Sequence, residues 1–275
     1  MITDVDTNRF YDVKNIFVEG KVFDYINLDK SVIAYDRLSN AINKPLKLVL
    51  FYGKPGSGKT FLLEKIYSDL RGKYPIVFFP RPFFDEKQFL KSLFEEVFAI
   101  KSPIFSGYEE FLAIYKTKIP KKSEDVVVTV LLDEAQLYPN DLIEKIRLMA
   151  DTRLFKFLFT VHKTEKEDVL AKDYFKTRIW ESIELADSTF EEIKTYLEKK
   201  FIYHNKLEYF THIKDFISFI FFVTNGNLRS VNKLLFKVFE LYEYYEANKP
   251  SIVINSSNRK KIIEMAAIAT GFLNA

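Results

Sequence analysis

The chain has no cysteine among its 275 residues, which excludes disulfides and thiolate metal ligands. Glycine is scarce, with 8 in all, so any cluster of glycines is informative. No apolar run approaches membrane-spanning length. The longest, Phe216 to Val223, is broken by Ser218 and falls far short of the roughly 20 residues a spanning helix needs. No charged start followed by an apolar core marks a secretion signal. Neither sign of charge dominates: 41 basic and 38 acidic residues leave a formal net charge of +3, which makes no case for nucleic acid by bulk charge. His204 and His212 lie in a stretch without a carboxylate cluster and do not make a metal site. A cytoplasmic, soluble chain without a transmembrane segment is expected, reaching the inner membrane, if at all, peripherally through a partner. What is plentiful is apolar: 48% hydrophobic and 16% aromatic residues suffice for one large domain or two modest ones.

Three of the few glycines fall in one octet, Gly53-Lys54-Pro55-Gly56-Ser57-Gly58-Lys59-Thr60, which fits the phosphate-cradling pattern G-x-x-x-x-G-K-[ST] without a gap. Glycine lets the backbone turn its N–H groups inward around phosphates. In such a loop Lys59 reaches the outer phosphates and the Thr60 hydroxyl ligates Mg²⁺. An ordinary glycine-rich turn before a helix is the bland alternative. Against it stands the context: an apolar run, Leu46 to Tyr52, suits a buried parallel strand, and Phe61 onward has helical apolar spacing.

Along the chain, apolar strands are expected at Leu46–Tyr52, Pro75–Phe79, Val126–Leu132, Leu154–Val161 and Trp180–Leu185. Helices are expected at Asp29–Ile42, from the loop to about Arg71, and at Asp85–Ala99, Tyr108–Ile119 and Asn140–Ala150. Strands that are nearly all apolar and alternate with helices imply a parallel sheet covered on both faces. Beyond Ala186 only helices follow (Thr189–Phe201, Tyr209–Val223, Asn227–Tyr245, Asn258–Ile268), with one short strand candidate at Ile252–Ile254. This predicts an α/β nucleotide-binding domain over 1–186, its first 25 residues an N-terminal extension, and a smaller helical domain over 187–275.

The run Val126-Val127-Val128-Thr129-Val130-Leu131-Leu132-Asp133-Glu134 delivers two carboxylates to the C-terminal end of a strand, where ligands sit in open α/β sheets. Asp133 is expected to hold the Mg²⁺ shell and Glu134 to polarise the attacking water, two solvated acids at a strand end being the alternative.

Asp133-Glu134-Ala135-Gln136 followed by Leu142 to Leu148 resembles the AAA+ ATPases, most closely the branch of the ExeA/GspA secretion ATPases and the TniB and MuB transposition ATPases. Leu154 to His162, Phe175-Lys176-Thr177-Arg178-Ile179 and Asn225 to Leu234 resemble, in order, the segments that carry the sensor-1 residue, the arginine finger and the sensor-2 arginine. The resemblance covers roughly residues 25 to 245. It implies a three-layer αβα P-loop parallel sheet with a small all-helical lid, and an ATPase whose cofactors are ATP and Mg²⁺. His162 then stands at sensor 1, where the family usually has Gln, Asn or Thr. Arg178 enters a neighbour's site and Arg229 reaches the γ-phosphate from the lid. The base pocket falls on Tyr25 to Val32, also by resemblance.

An arginine finger acting in trans implies a homo-oligomer with its ATP site at a subunit interface. Two readings of what it moves stay open. One is a secretion, pilus-like or DNA-uptake (competence) machine reached through an envelope partner. The other is an ATP-dependent, duplex-DNA-binding regulator of transposition or replication, with Lys116, Lys118, Lys121, Lys122 and Arg259 to Lys261 as basic candidates. A third, a nucleotide-gated scaffold of slow turnover, is motivated by His162. The aromatic run Phe216, Phe219, Phe221, Phe222 is either lid core or a partner surface.

Overall fold

A computed structural model describes residues 9–18, 25–119, 126–163 and 178–274. By their contacts these divide into two compact units, Ser31–Ala186 and a helical unit combining residues up to Lys30 with Asp187 onward.

In the first unit the chain alternates strand and helix: α2 (Asp29–Asn43, shared with the first residues of the boundary), β1 (Leu48–Gly53), α3 (Lys59–Leu70), β2 (Ile76–Phe79), α4 (Glu86–Phe98), α5 (Tyr108–Lys118), β3 (Val128–Leu132), α6 (Asn140–Asp151), β4 (Phe155–His162) and β5 (Ile179–Glu184). The five strands form one all-parallel sheet, order β2-β3-β4-β1-β5. Central β3 and β4 are buried almost throughout, as strands covered on both faces must be. Edge strand β5 instead alternates, with Trp180 70% exposed and Ile183 buried, because one of its sides meets water.

Helices α4, α5 and α6 seal the sheet through Phe89, Leu93, Phe94, Phe111, Tyr115, Ile143 and Ile146, packed with Val130, Leu132, Phe155 and Phe157. Fully burying each such side chain contributes about 1.5–3 kcal/mol. Helix α4 has sharp ends written in its sequence. The Asp85 carboxylate accepts from the Gln88 N–H at 2.8 Å, and Ala99 leaves the helix in the left-handed region.

The helical unit differs from the sequence expectation in three places. Residues 1–25 were expected to extend the α/β domain, but helix α1 (Arg9–Asn15) packs in the helical unit. Its apolar stripe, Phe10, Val13 and then Phe17, stacks on Tyr242 (5.2 Å between Phe10 and Tyr242 ring centroids) and Phe239 (5.8 Å from Phe17). The single helix expected over Tyr209–Val223 is broken into short turns at Leu207–Phe210 and Lys214–Phe216 before a helix at Ile217–Thr224. Ile252–Ile254 is not a strand: it ends a short helix, Pro250–Ile254, which proline starts at its first position. Phe216, Phe219 and Phe221 pack against the helical core, while Phe222 is 75% exposed.

Lys156 of β4 is buried at 4% exposure and donates its ammonium to the carbonyls of Ala41, Ile42 and Lys44, closing the C-terminal end of α2. Burial pushes its pKa down from the usual lysine value to about 8. At this residue the folded state therefore holds less proton than the unfolded chain between about pH 8 and pH 10.5, so its contribution to stability rises with pH across that window and is flat below it. Denaturant unfolding from pH 7.5 to 10.5 is expected to show this rise as a gain of about 1–3 kcal/mol in the wild type relative to Lys156→Met, a comparison that cancels the buried tyrosines whose raised pKa values act in the opposite direction near pH 10.

Candidate nucleotide site

Parallel register brings the site together. Leu132 of β3 pairs with Phe159 of β4, so Asp133 emerges beside Thr160; on the other flank of β4, Phe51 pairs with Thr160 and Gly53 with His162. The phosphate-loop candidate, the acidic pair and the end of β4 thus meet at the C-terminal edge of the sheet, where ligands bind in such folds.

The octet leaves β1 at Gly53 and enters α3 at Lys59. Gly56 and Gly58 have φ of 77° and 101°, backbone that other residues rarely adopt. Gly53 is required for another reason: a Cβ there would lie 2.6 Å from the Leu185 carbonyl oxygen. Lys59 is buried, and its ammonium donates to the carbonyls of Gly53 (2.9 Å) and Lys54 (3.0 Å) of its own loop. The buried Ser57 hydroxyl has no hydrogen-bond partner among the described residues. Lys54 and Pro55 are exposed.

Asp133 is 2% exposed. The Thr60 hydroxyl donates to its Oδ2 at 2.7 Å, the Thr160 hydroxyl donates to its Oδ1, and the Glu134 N–H reaches that oxygen at 3.0 Å. The same N–H also reaches Thr160 Oγ1 at 2.9 Å. A nearby consequence is that Glu64 of α3, partly buried and facing the Asp133 charge, has its carboxyl held above the usual range. Glu134 takes a left-handed backbone (φ 53°) where strand gives way to a short 3₁₀ turn, Ala135–Leu137. Its carboxylate accepts from Gln136 Nε2 and lies 3.2 Å from His162 Nε2, and Gln136 Nε2 is 3.4 Å from His162 Nδ1.

These residues fit a Mg²⁺-nucleotide. A hydroxyl and a carboxylate stand side by side at Thr60 and Asp133, a lysine ammonium rests on loop carbonyls, and a buried serine hydroxyl lacks a partner among the described residues. Among the described residues no group of three or more His, Asp or Glu side chains could hold a metal ion alone. Mg²⁺ needs none, since it takes one or two protein oxygens together with waters and substrate phosphates.

Arg178 lies away from the loop. Arg178 precedes Ile179, which pairs with Leu48, so it stands at the opposite, N-terminal edge of the sheet, a strand length of about 15–20 Å from Gly53. Its Nε is 3.8 Å from Asp151 Oδ2; Asp151 also takes Lys47 at 2.7 Å and Arg147 at 3.3 Å. The preceding residues of its motif, Phe175 to Thr177, lie outside the described residues. Arg229 is exposed in the first turn of the helix Leu228–Asn248 in the helical unit. The turn before that helix depends on Gly226, whose φ is 65° and whose Cβ would strike the Ser188 carbonyl oxygen at 2.6 Å.

Arg259 donates to the Thr211 carbonyl at 2.9 Å and Lys260 pairs with Glu264 at 3.6 Å. Lys116 and Lys118 occupy the last turn of α5, where the helix dipole favours cations, and Lys121 and Lys122 lie outside the described residues. Sequence reasoning missed Thr160 and Gln136. Thr160 is an inward-facing polar residue in an apolar strand, a signal in itself; Gln136 follows the acidic pair by two residues.

Residues 44–170 match the family model of the AAA domain, somewhat less than half of the chain. No curated protein matches the sequence. Among solved structures, Cdc6p from Pyrobaculum aerophilum is similar with a TM-score of 0.60 and 16% identity, over 85% of this chain and 66% of that one. The Aeropyrum pernix ORC2 protein in its ADPNP-ADP complexes gives 0.57 and 14%, over 92% and 71%. The Aeropyrum pernix ORC1 protein in complex with DNA gives 0.59 and 13%, over 94% and 69%. The chain thus spans just under two thirds of the first of these and somewhat more of the others. Its five-stranded parallel sheet with flanking helices has the AAA+ fold, and residues 44–170 are similar to the AAA domain; at these identities the likeness to solved structures shows the fold alone.

Thr160→Val keeps the shape of β4 and removes the hydroxyl that serves Asp133 and the Glu134 N–H. Unfolding free energy is expected to fall by about 1–3 kcal/mol, read from denaturant midpoints. A variant as stable as the wild type would show that the hydroxyl does not hold the two acids.

Proposed function

We propose that the chain binds ATP with Mg²⁺ at Gly53–Thr60 and hydrolyses it in assemblies of several copies whose nucleotide state governs binding to duplex DNA. The observation that carries the nucleotide reading is the buried Asp133 joined to the Thr60 hydroxyl, beside a lysine whose ammonium is parked on its own loop.

On this reading the loop N–H groups take the phosphates and Lys59 exchanges its two carbonyl partners for β- and γ-phosphate oxygens, which bear full negative charge. Thr60 and Asp133 hold Mg²⁺, which when bound neutralises phosphate charge. Glu134 takes the proton of a water whose oxygen bonds to the γ-phosphorus as the bond from that phosphorus to the β,γ-bridging oxygen breaks; ADP and phosphate leave. His162 contacts Glu134, so its role at sensor 1 runs through that carboxylate.

Arg178 lies at the far edge of its own sheet, which supports service to a neighbouring copy rather than to its own loop. Arg229 is assigned to the γ-phosphate from the helical lid by resemblance. DNA as the partner is supported by the resemblance to the transposition ATPases and by a fold shared with an ORC1 protein in complex with DNA. The secretion or DNA-uptake reading rests on the ExeA/GspA resemblance.

Steady-state turnover tests the shared site. Arg178→Ala and Lys59→Ala are each expected to lower kcat by at least about 100-fold, while a mixture of the two recovers part of it; a mixture as inactive as its components contradicts action in trans. Duplex DNA is expected to bind only with ATP present and to weaken steeply with salt. No DNA binding, with co-purification of an envelope protein, would move the function to the secretion or DNA-uptake machine.

A further inference from the structure

We infer that Gln136 is a positioning residue that, together with His162, sets the Glu134 carboxylate for the attacking water; this rests on the reading of Glu134 given above. Each carboxylate oxygen has its own donor: Gln136 Nε2 on Oε2 and His162 Nε2 at 3.2 Å from Oε1. A carboxylate offers about four lone-pair sites, so one donor per oxygen fixes its plane and leaves acceptor capacity for water.

The orientation of the Gln136 amide follows from its neighbour. Its oxygen against a carboxylate would repel, so the NH₂ group faces Glu134, and its Oε1 is left buried and without a partner among the described residues. The second N–H of that group points to His162 Nδ1 at 3.4 Å, at the long end for a hydrogen bond. A histidine with its proton on Nε2 and a lone pair on Nδ1 satisfies both contacts, so the three side chains close a ring.

The backbone is fixed at the same point. Glu134 holds a left-handed φ of 53°, which is strained for a residue with a side chain and persists only where the surroundings impose it. Its N–H is held by Asp133 and Thr160. Main chain and carboxylate are therefore both constrained, as a water-polarising group requires, since a misplacement of about 1 Å can cost about 100-fold in rate.

The test is steady-state ATP hydrolysis by the full chain carrying Gln136→Met or Gln136→Leu, which keep bulk and lose the donor. A roughly tenfold fall in kcat is expected, with KM for ATP and the unfolding midpoint unchanged. In a Glu134→Gln background the Gln136→Met change is expected to add no further loss, because both act through one carboxylate. A kcat that stays level or rises, or a full further loss in the Glu134→Gln background, overturns the inference. Nitrogen NMR of the His162 ring reads the ring of contacts without turnover. The Nδ1 resonance is expected to shift in Gln136→Met, and one that does not move overturns the inference even if the wild type proves not to hydrolyse ATP. A wild type that binds but does not hydrolyse ATP, with an Nδ1 shift in Gln136→Met, would instead count against the hydrolysis reading alone.

Discussion

A carboxylate at 2% exposure is tolerable only if its oxygens are met by donors, and those of Asp133 are met by Thr60, Thr160 and the Glu134 N–H. Those donors come from three different elements: the start of α3, the end of β4, and the turn after β3. One buried charge therefore ties the phosphate-loop helix to two central strands. It also places the next residue, Glu134, in a backbone conformation it would not choose alone. The surrounding sheet exists, in this sense, to hold that carboxylate at its C-terminal edge.

The glycines serve the same end by different means. Gly56 and Gly58 supply left-handed turns, whereas Gly53 is needed because the carbonyl of Leu185, the residue after β5, comes too close for any Cβ. The loop is thereby pressed against β5 on one side while Lys59 spans it from within. On the proposed function, the Lys59 ammonium exchanges its carbonyl partners for stronger anionic ones when nucleotide binds.

Much of this was legible in the sequence because it is local. The octet is contiguous, the acidic pair follows its strand directly, and long apolar runs predicted every strand of the sheet to within about two residues. What was not legible depends on register or on distant packing. Thr160 reaches Asp133 only because β3 and β4 pair in parallel with Leu132 opposite Phe159. Gln136 matters only because a 3₁₀ turn and the end of β4 bring it to Glu134 and His162. Helix α1 is short, and its apolar stripe finds partners more than 200 residues later in the chain, at Phe239 and Tyr242. Between Leu207 and Thr224 apolar residues recur at helical spacing straight through the breaks (Phe210, Ile213, Ile217, Ile220), so hydrophobic spacing alone could not show where the turns fall.

The geometry speaks most directly to nucleotide binding, and the decisive measurement is a calorimetric titration of ATP into the full chain with Mg²⁺ present, beside the same titration of Lys59→Ala. Saturable one-site binding by the wild type, weakened at least about 100-fold (about 2.7 kcal/mol) in Lys59→Ala with an unchanged unfolding midpoint, is the predicted result. No binding by the wild type, or equal affinity in the two proteins, would contradict the account.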